Sequence, residues 1–291
     1  MNTEKSILNP WWLVIILSLI WGCSFILIKK SLIAFTPNQL ACLRLSISSL
    51  AFSPIVWSNR KEIPWNMLLK FFIVGATGSG IPAFLFFAAQ TQLSSSVAGL
   101  LNSLTPIWTL LLGVTIFKSG ITSNKITGVI IGFLGAASLL LMGDERSLGG
   151  NPLYGGLIVL ATFCYGLSVS LVESSFKGVR PLLISAVSFF TIGPPAMIYL
   201  FSTDFIEILT TNPDAQMALL SVTTLSLFGT VFASILFYYL VQRTSAVFGS
   251  SVTFLMPIVA FGWGLADGEV LDVEHITAMV LILVGVYLIK K

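Results

Sequence analysis

Long apolar runs separated by short polar stretches are the dominant pattern along the chain. Each run approaches the ~20 residues with which a helix crosses the hydrocarbon core of a bilayer. Breaks at polar, Gly or Pro clusters divide the pattern into ten predicted spans, approximately Trp11–Ile28, Asn38–Trp57, Leu68–Ala89, Val97–Phe117, Ile126–Met142, Leu153–Val172, Leu182–Phe201, Ala218–Val241, Ala246–Leu265 and Ile276–Ile289. Strand-like alternation is absent, and a span in lipid must satisfy its own backbone hydrogen bonds. The pattern therefore predicts an all-α, polytopic membrane protein with ten transmembrane helices.

The composition is that of a chain whose solvent is the lipid bilayer. Hydrophobic residues make up 56% of the chain and charged residues only 9%, whereas an ordinary soluble domain carries about 25% charged residues. So few charges cannot coat a water-soluble protein of this length. The formal net charge of +3 gives no reason to expect nucleic-acid binding. The three cysteines lack the spacing of a metal site or a disulfide framework, so we expect no cofactor and no metal.

Lys and Arg residues are distributed unevenly between the loops. If the N-terminus lies in the cytoplasm, the inner loops and termini carry eleven of them, the outer loops carry three, and Arg44 alone lies within a span. Positively charged residues accumulate in the cytoplasmic loops of membrane proteins. We therefore expect a multi-pass protein of the cell (inner) membrane with both termini in the cytoplasm.

The two halves of the chain share an internal repeat at a shift of roughly 150 residues. Ser94 to Ala98 with Pro106 beyond it matches Ser245 to Gly249 with Pro257 beyond it. The polar stretch from Gly143 to Pro152 separates the halves, which predicts repeats at residues 1–146 and 147–291.

An odd number of spans in each half has a consequence for topology. With five predicted spans per half, the second half enters the membrane with the opposite polarity to the first. Inverted repeats of this kind are typical of secondary transporters, whose halves rock about a site near the midplane of the membrane.

Several short segments occur in an order that is more specific than any one of them. They are Trp21-Gly22 with Ser24 and Phe25, the segment from Pro37 to Arg44, the stretches that end at Pro106 and Pro257, and Gly268 to Leu271. In this order the chain resembles the drug/metabolite transporter superfamily, and within it the EamA-type exporters of small metabolites. One departure is Lys118, which stands where the family often has a glutamate and where the second half has Glu269.

The resemblance implies a ten-helix bundle with a central cavity. Spans one, three and four and their counterparts six, eight and nine would line this cavity. Spans five and ten would be peripheral, which leaves open a homo-oligomer formed through them. The function that the resemblance implies is export of a small metabolite.

A solute site in such a protein needs a few polar and aromatic side chains that face a cavity with apolar walls. Trp21 and Ser24 share one helix face because they are three residues apart, and so do Tyr165 and Ser168. Candidates of these types within the spans form the predicted substrate-binding set: Trp21, Ser24, Gln90, Asn102, Tyr165, Ser168, Ser234, Tyr238 and Thr253. Each hydroxyl can instead bond to its own backbone or to a neighbouring helix, and the aromatic rings can serve as packing residues. Asn102 is the sharpest candidate, because an unpaired amide is costly in lipid.

Four prolines and one arginine within the spans are candidates for gating. Pro82, Pro106, Pro194 and Pro257 interrupt backbone hydrogen bonding, which either allows a helix to bend during transport or leaves a static kink. Arg44 lies within about two turns of the predicted outer end of its span, where a long side chain can snorkel to the interface. We therefore expect a structural or gating role for Arg44 rather than contact with the solute.

The charges that the spans lack restrict the substrate and the coupling mechanism. No Asp or Glu lies in the middle of a predicted span, so a buried carboxylate for direct proton or sodium coupling is missing. The clustered Lys and Arg residues that phosphorylated substrates require are missing as well. The sequence therefore predicts a non-enzymatic secondary transporter for a small neutral or zwitterionic solute with an apolar part, such as an amino acid.

Two other classes of membrane protein stay open. A membrane-embedded enzyme would need a nucleophile, a base or a metal cluster, and the single histidine, His275, stands among outer-loop acids without an evident partner. A structural or sensory subunit would have no continuous cavity between its helices.

Overall fold

The computed structural model describes residues 9–116, 123–124, 126–128, 130–131, 134–135, 152–268 and 273–290. All regular structure within these residues is helical. In the described part of the chain, eight helices are long and apolar enough to cross a bilayer: α1 (Pro10–Ser31), α2 (Pro37–Ser58), α3 (Trp65–Ala89), α4 (Ser95–Thr115), α5 (Pro152–Ser175), α6 (Pro181–Phe201), α7 (Ala215–Arg243) and α8 (Ala246–Ala266). Helix α9 (Val273–Lys290) follows at the C-terminal end, and a short helix, Phe205–Thr211, lies between α6 and α7.

Each of these nine long helices coincides with a predicted span to within a few residues. The fifth predicted span, Ile126–Met142, lies largely outside the described residues. The stretch that separates the predicted halves, residues 143–151, also lies outside them.

The helices begin earlier than their apolar runs because polar caps and prolines extend them outward. The Asn9 side chain accepts a hydrogen bond from the Trp11 N–H at the start of α1, and Pro10 occupies the first helical position. At the start of α2, Thr36 and Gln39 form a capping box. These caps satisfy N–H groups that the helix itself leaves unpaired.

Helices α3 and α7 depart from α-helical geometry in the same way. Each contains a π-helical segment, Ala76–Gly80 in α3 and Leu227–Phe232 in α7. Such segments are rare, and they are frequent at functional sites because they release backbone groups from the regular ladder. Pro82 lies two residues beyond the first of them.

Helices α4 and α8 are also interrupted, and at matching points. Helix α4 consists of Ser95–Asn102 and Thr105–Thr115, with Pro106 at the start of the second part. In α8 a 3-10 segment, Ser251–Phe254, comes before the part that contains Pro257. Helix α6 continues through Pro194, so this proline does not break its helix.

Helices α1 to α4 pack against helices α5 to α8 through several pairwise contacts. Helix α2 packs against α6, and α4 packs against α8. Helix α1 packs against α7 and α8. In the same way, α5 packs against α3 and α4. Two of these contacts depend on glycine. A Cβ on Gly22 of α1 would collide with Val259 and lie 3.2 Å from the Met256 carbonyl oxygen, and a Cβ on Gly166 of α5 would lie 2.9 Å from the Thr109 backbone nitrogen.

We predict that Gly22→Ala and Gly166→Ala each destabilise the protein by about 1–3 kcal/mol, the usual cost of an overpacked contact. The measurement is thermal unfolding of the purified protein in detergent. The matched control is Gly156→Ala in α5, where an added Cβ meets nothing within 4 Å. Equal melting temperatures for all three variants would contradict the proposed close packing.

Candidate functional site

A cavity of about 110 Å³ lies at the centre of the helix bundle. Helices α1, α3, α4, α5, α7 and α8 all contribute to its wall, and these are the six that the family resemblance implies. Helix α2 adds one residue, Arg44. The volume is enough for several water molecules or for part of a small organic solute.

Most of the predicted substrate-binding residues come together around this cavity. Trp21, Ser24, Asn102, Tyr165, Ser168, Ser234, Tyr238 and Thr253 all line it. Gln90 does not: it is buried, and its amide nitrogen donates to the Phe25 carbonyl 3.1 Å away. Gln90, at the end of α3, therefore links α3 to α1 by a hydrogen bond. Its residue type alone does not indicate this role.

The Trp21 ring is fixed by the π-helical segment of α7. Its Nε1 donates to the Gly229 carbonyl oxygen at 2.8 Å, and its ring meets the Phe237 ring edge to face with centroids 5.0 Å apart. The π-helical geometry frees carbonyl groups, and Trp21 supplies the donor from another helix. Trp21 is therefore a rigid part of the cavity wall.

Three hydroxyl groups of the cavity donate to backbone carbonyls of their own or a neighbouring helix, which is the alternative to solute binding considered from the sequence. Ser234 and Thr253 each donate to a carbonyl of their own helix, and Ser168 donates to the Val74 carbonyl of α3 at 3.2 Å. Each of these hydroxyls therefore has no hydrogen left to donate, but its oxygen can still accept a hydrogen bond. All three residues line the cavity.

Asn102 has an unsatisfied polar atom at the cavity. The side chain is only 3% exposed, its Nδ2 lies 3.6 Å from the Met256 sulfur, and its Oδ1 has no hydrogen-bond partner among the described residues. A buried amide oxygen without a partner costs free energy comparable to a lost hydrogen bond.

Arg44 points into the protein, and its position corrects the expectation that its side chain snorkels outward. Its Nε donates to the Thr230 hydroxyl at 2.8 Å, and Thr230 belongs to the π-helical segment of α7. Within the described part of the chain the ion pairs involve Lys29, Lys30 and Arg180, and none involves Arg44.

Thr230 and Gly78 are cavity residues outside the predicted substrate-binding set. A Cβ on Gly78, in the π-helical segment of α3, would lie 2.5 Å from the Ser168 oxygen and 3.2 Å from the Tyr238 oxygen, so only glycine keeps this part of the wall open. The crowding of glycines from Gly75 to Gly80 was a usable signal for this position. Thr230 carried no such signal, because one threonine in an apolar run looks like any other.

A wider vestibule of about 750 Å³ lies further along α4, α5, α7 and α8. Its wall includes Glu173 near the end of α5, Lys177 in the loop between α5 and α6, and Arg243 at the end of α7. Ser170 of the vestibule is two residues from Ser168 of the central cavity. The vestibule and the central cavity therefore share the walls of the same four helices, and the vestibule lies at the end of the bundle where α5 meets α6 and α7 meets α8.

Ion pairs link the helices at the opposite end of the bundle. The Lys29 and Lys30 ammonium groups of α1 each lie 2.7 Å from an Asp267 carboxylate oxygen at the end of α8. Hydrogen bonds from Lys29 and then Lys30 lower the pKa of Asp267 to about 2, so the carboxylate stays charged at neutral pH. These contacts hold the ends of α1 and α8 together.

Comparison with known proteins identifies relatives over nearly the whole chain. The sequence model of the EamA-like transporter family matches residues 10–141 and 154–290. An "Uncharacterized transporter" from Archaeoglobus fulgidus is 27% identical, over 96% of this chain and 98% of its own length. The "Uncharacterized inner membrane transporter YedA" from Escherichia coli K12 is 26% identical, over 94% and 90%.

One relative has a name that mentions a class of solute. A "Probable amino-acid metabolite efflux pump" from Salmonella typhimurium LT2 is 25% identical, over 95% of this chain and 93% of its own length. A solved structure named only "Crystal structure of protein" matches with a TM-score of 0.65 at 16% identity, over 96% of this chain and 95% of that one. At this identity the structural match concerns the fold alone.

We predict that Asp267→Asn opens the end of the bundle where α1 meets α8. The reporter is a cysteine introduced by Ile28→Cys, at a cavity residue that is 3% exposed, in a background without the native cysteines. A polar maleimide should label this cysteine about two- to fivefold faster, because exposed ion pairs contribute about 0.2–1 kcal/mol each. The control is Asp214→Asn, which removes an acid that has no ion pair among the described residues. Equal labelling rates in both variants would show that the ion pairs do not close this end.

Proposed function

Because this multi-pass membrane protein belongs to the EamA-like transporter family, we propose that it is a secondary transporter that exports a small neutral or zwitterionic organic solute, such as an amino acid. The observation that carries the proposal is the central cavity, where aromatic rings and a few polar atoms from seven helices face one another. A wall of this kind suits a solute with an apolar body and a small number of polar groups.

The solute class and the direction of transport draw support from two sources. The name of the Salmonella typhimurium relative includes both amino-acid metabolites and efflux. The cavity itself offers several acceptor oxygens and the unpaired Oδ1 of Asn102, which suit the donor groups of an amino acid. The cavity residues within the described chain include one cation, Arg44, which argues against phosphorylated solutes.

We propose that transport occurs by alternating access between two inverted repeats. Support comes from the matching π-helical segments of α3 and α7, the matching interruptions of α4 and α8, and the two matches to the family. The vestibule lies at one end of the bundle, and the Lys29 and Lys30 ion pairs with Asp267 lie at the other. With both termini in the cytoplasm, the vestibule would face the cytoplasm, which is the side from which an exporter loads.

We predict that the protein in proteoliposomes moves at least one solute from a panel of the common L-amino acids. Asn102→Ala should weaken the apparent affinity for that solute by about tenfold, since it removes one buried hydrogen-bonding group. Trp21→Ala should weaken it at least as much, because the ring and its bond to Gly229 fix the wall. The measurement is counterflow of radiolabelled amino acid.

The control for both variants is Trp57→Ala, which removes a 73% exposed indole that lies outside the cavity. This variant should transport like the wild type. If the wild type moves no member of the panel, or if all three variants are equally impaired, the proposed role of the cavity is wrong.

We also predict that transport persists when the pH gradient alone is collapsed. The cavity residues of the described chain include no Asp or Glu to carry a coupled proton. The test is net transport of radiolabelled solute across proteoliposomes with an imposed pH gradient, in the presence and in the absence of an ionophore that exchanges protons for potassium, with the membrane potential clamped. A rate that falls to the protein-free background under the ionophore would refute a mechanism without direct proton coupling.

A further inference from the structure

The guanidinium of Arg44 is a charge within the membrane-spanning bundle that has no acidic partner in the described structure. Its Nε bond to Thr230 uses one of the five N–H donors that a guanidinium carries, and no other hydrogen bond joins it to a described residue. Charged side chains inside a membrane are costly, and they are normally paired or directed at a substrate. A cation at a cavity wall without an acidic partner among the described residues is therefore available to an anionic group of a solute.

The surroundings of Arg44 set the geometry of that site. The Thr230 hydroxyl holds Nε, which leaves the terminal nitrogens of the guanidinium as the free donors. The Tyr165 side chain lines the same cavity as Arg44. A planar guanidinium fixed at Nε presents two parallel N–H groups, which match the two oxygens of a carboxylate.

A second and independent observation also indicates a polar ligand. The Oδ1 atom of Asn102 is buried at the wall of the same cavity without a partner among the described residues. The residues that line the cavity therefore include one cation without an acidic partner and one amide with an unpaired oxygen, while aromatic rings such as Phe86 and Phe237 form other parts of the wall. One cation balances one negative charge, which favours a monocarboxylate over a phosphate.

We propose that Arg44 binds the carboxylate of the transported solute, so that the substrates, within the neutral or zwitterionic class proposed above, are amino acids with an apolar body. Amines, carboxamides and uncharged solutes of the same size are then poor substrates. This assignment rests on the proposed transport function and gives Arg44 direct contact with the solute. Thr230 is a positioning residue, which acts by orienting the guanidinium.

The test uses four probes that share one phenyl group and differ in their charged groups: phenylalanine, phenylalaninamide, phenethylamine and 3-phenylpropanoate. Their binding to the purified full-length protein is measured by tryptophan fluorescence or by thermal stabilisation. The wild type should bind phenylalanine and 3-phenylpropanoate more tightly than the two probes without a carboxylate. This selectivity is a property of the unaltered protein, so it remains measurable even if a variant fails to fold.

Variants at the site should remove the selectivity without abolishing binding altogether. Arg44→Gln should weaken binding of the two carboxylates by about 10- to 100-fold, the usual effect of losing a charge-assisted hydrogen bond. It should change the affinity for phenylalaninamide far less. Arg44→Lys should retain part of the selectivity, and Thr230→Val should lower it by a smaller factor. Arg60→Gln, which removes an exposed arginine just beyond the end of α2, is the matched control and should leave all four affinities unchanged.

The outcomes separate this assignment from the proposed function. If the wild type binds phenylalaninamide as tightly as phenylalanine, or if Arg44→Gln weakens all four probes equally, Arg44 has a structural role and the assignment is overturned while transport stands. If the wild type binds none of the four probes and moves no amino acid in proteoliposomes, the proposed function fails and the assignment fails with it.

Discussion

A helix in lipid must pair every backbone N–H and C=O group within the protein, and this constraint governs the central part of the structure. Interruptions of the helical ladder are tolerated only where neighbouring side chains or a cavity satisfy the released groups. Trp21 does so for the π-helical segment of α7. Ser18 of α1 and Ser103 of α4 do so for carbonyls of the 3-10 segment in α8, at 2.7 and 3.1 Å. The irregular segments therefore lie at the points where these helices meet around the cavity.

The same constraint explains why the cavity is polar in so few places. Ser168, Ser234 and Thr253 each donate their hydroxyl hydrogen bond to a backbone carbonyl. These residues therefore contribute hydrogen-bond acceptors to the cavity wall, which otherwise consists largely of aromatic faces. Among the described residues that line the cavity, the Arg44 guanidinium lacks an acidic partner and the Asn102 Oδ1 atom lacks a hydrogen-bond partner. We expect these two groups to contribute most to recognition of a solute, because an unpaired buried charge or acceptor is costly in a low-dielectric interior.

The location of the helices and much of the cavity wall could be inferred from residue pattern alone. Apolar runs are long because lipid requires them, and polar or aromatic residues within such runs are rare enough to single out Trp21, Asn102 and Tyr165. The residue pattern did not show which way a side chain points. Gln90 and Arg44 had the expected chemistry, but one ties α3 to α1 outside the cavity and the other turns inward instead of toward the interface.

The all-α class, the apolar spans and the residue types available for a solute site can be read from the residue pattern, because these depend on local hydrophobicity and backbone hydrogen bonding. Which polar atoms stay unpaired depends on the packing of helices that are distant in the chain. Thr230 bonds to Arg44 because the π-helical segment of α7 lies beside α2. A side chain larger than glycine does not fit at position 78, because Ser168 of α5 and Tyr238 of α7 approach Gly78 closely. Such contacts join residues far apart in the chain, and no local pattern encodes them.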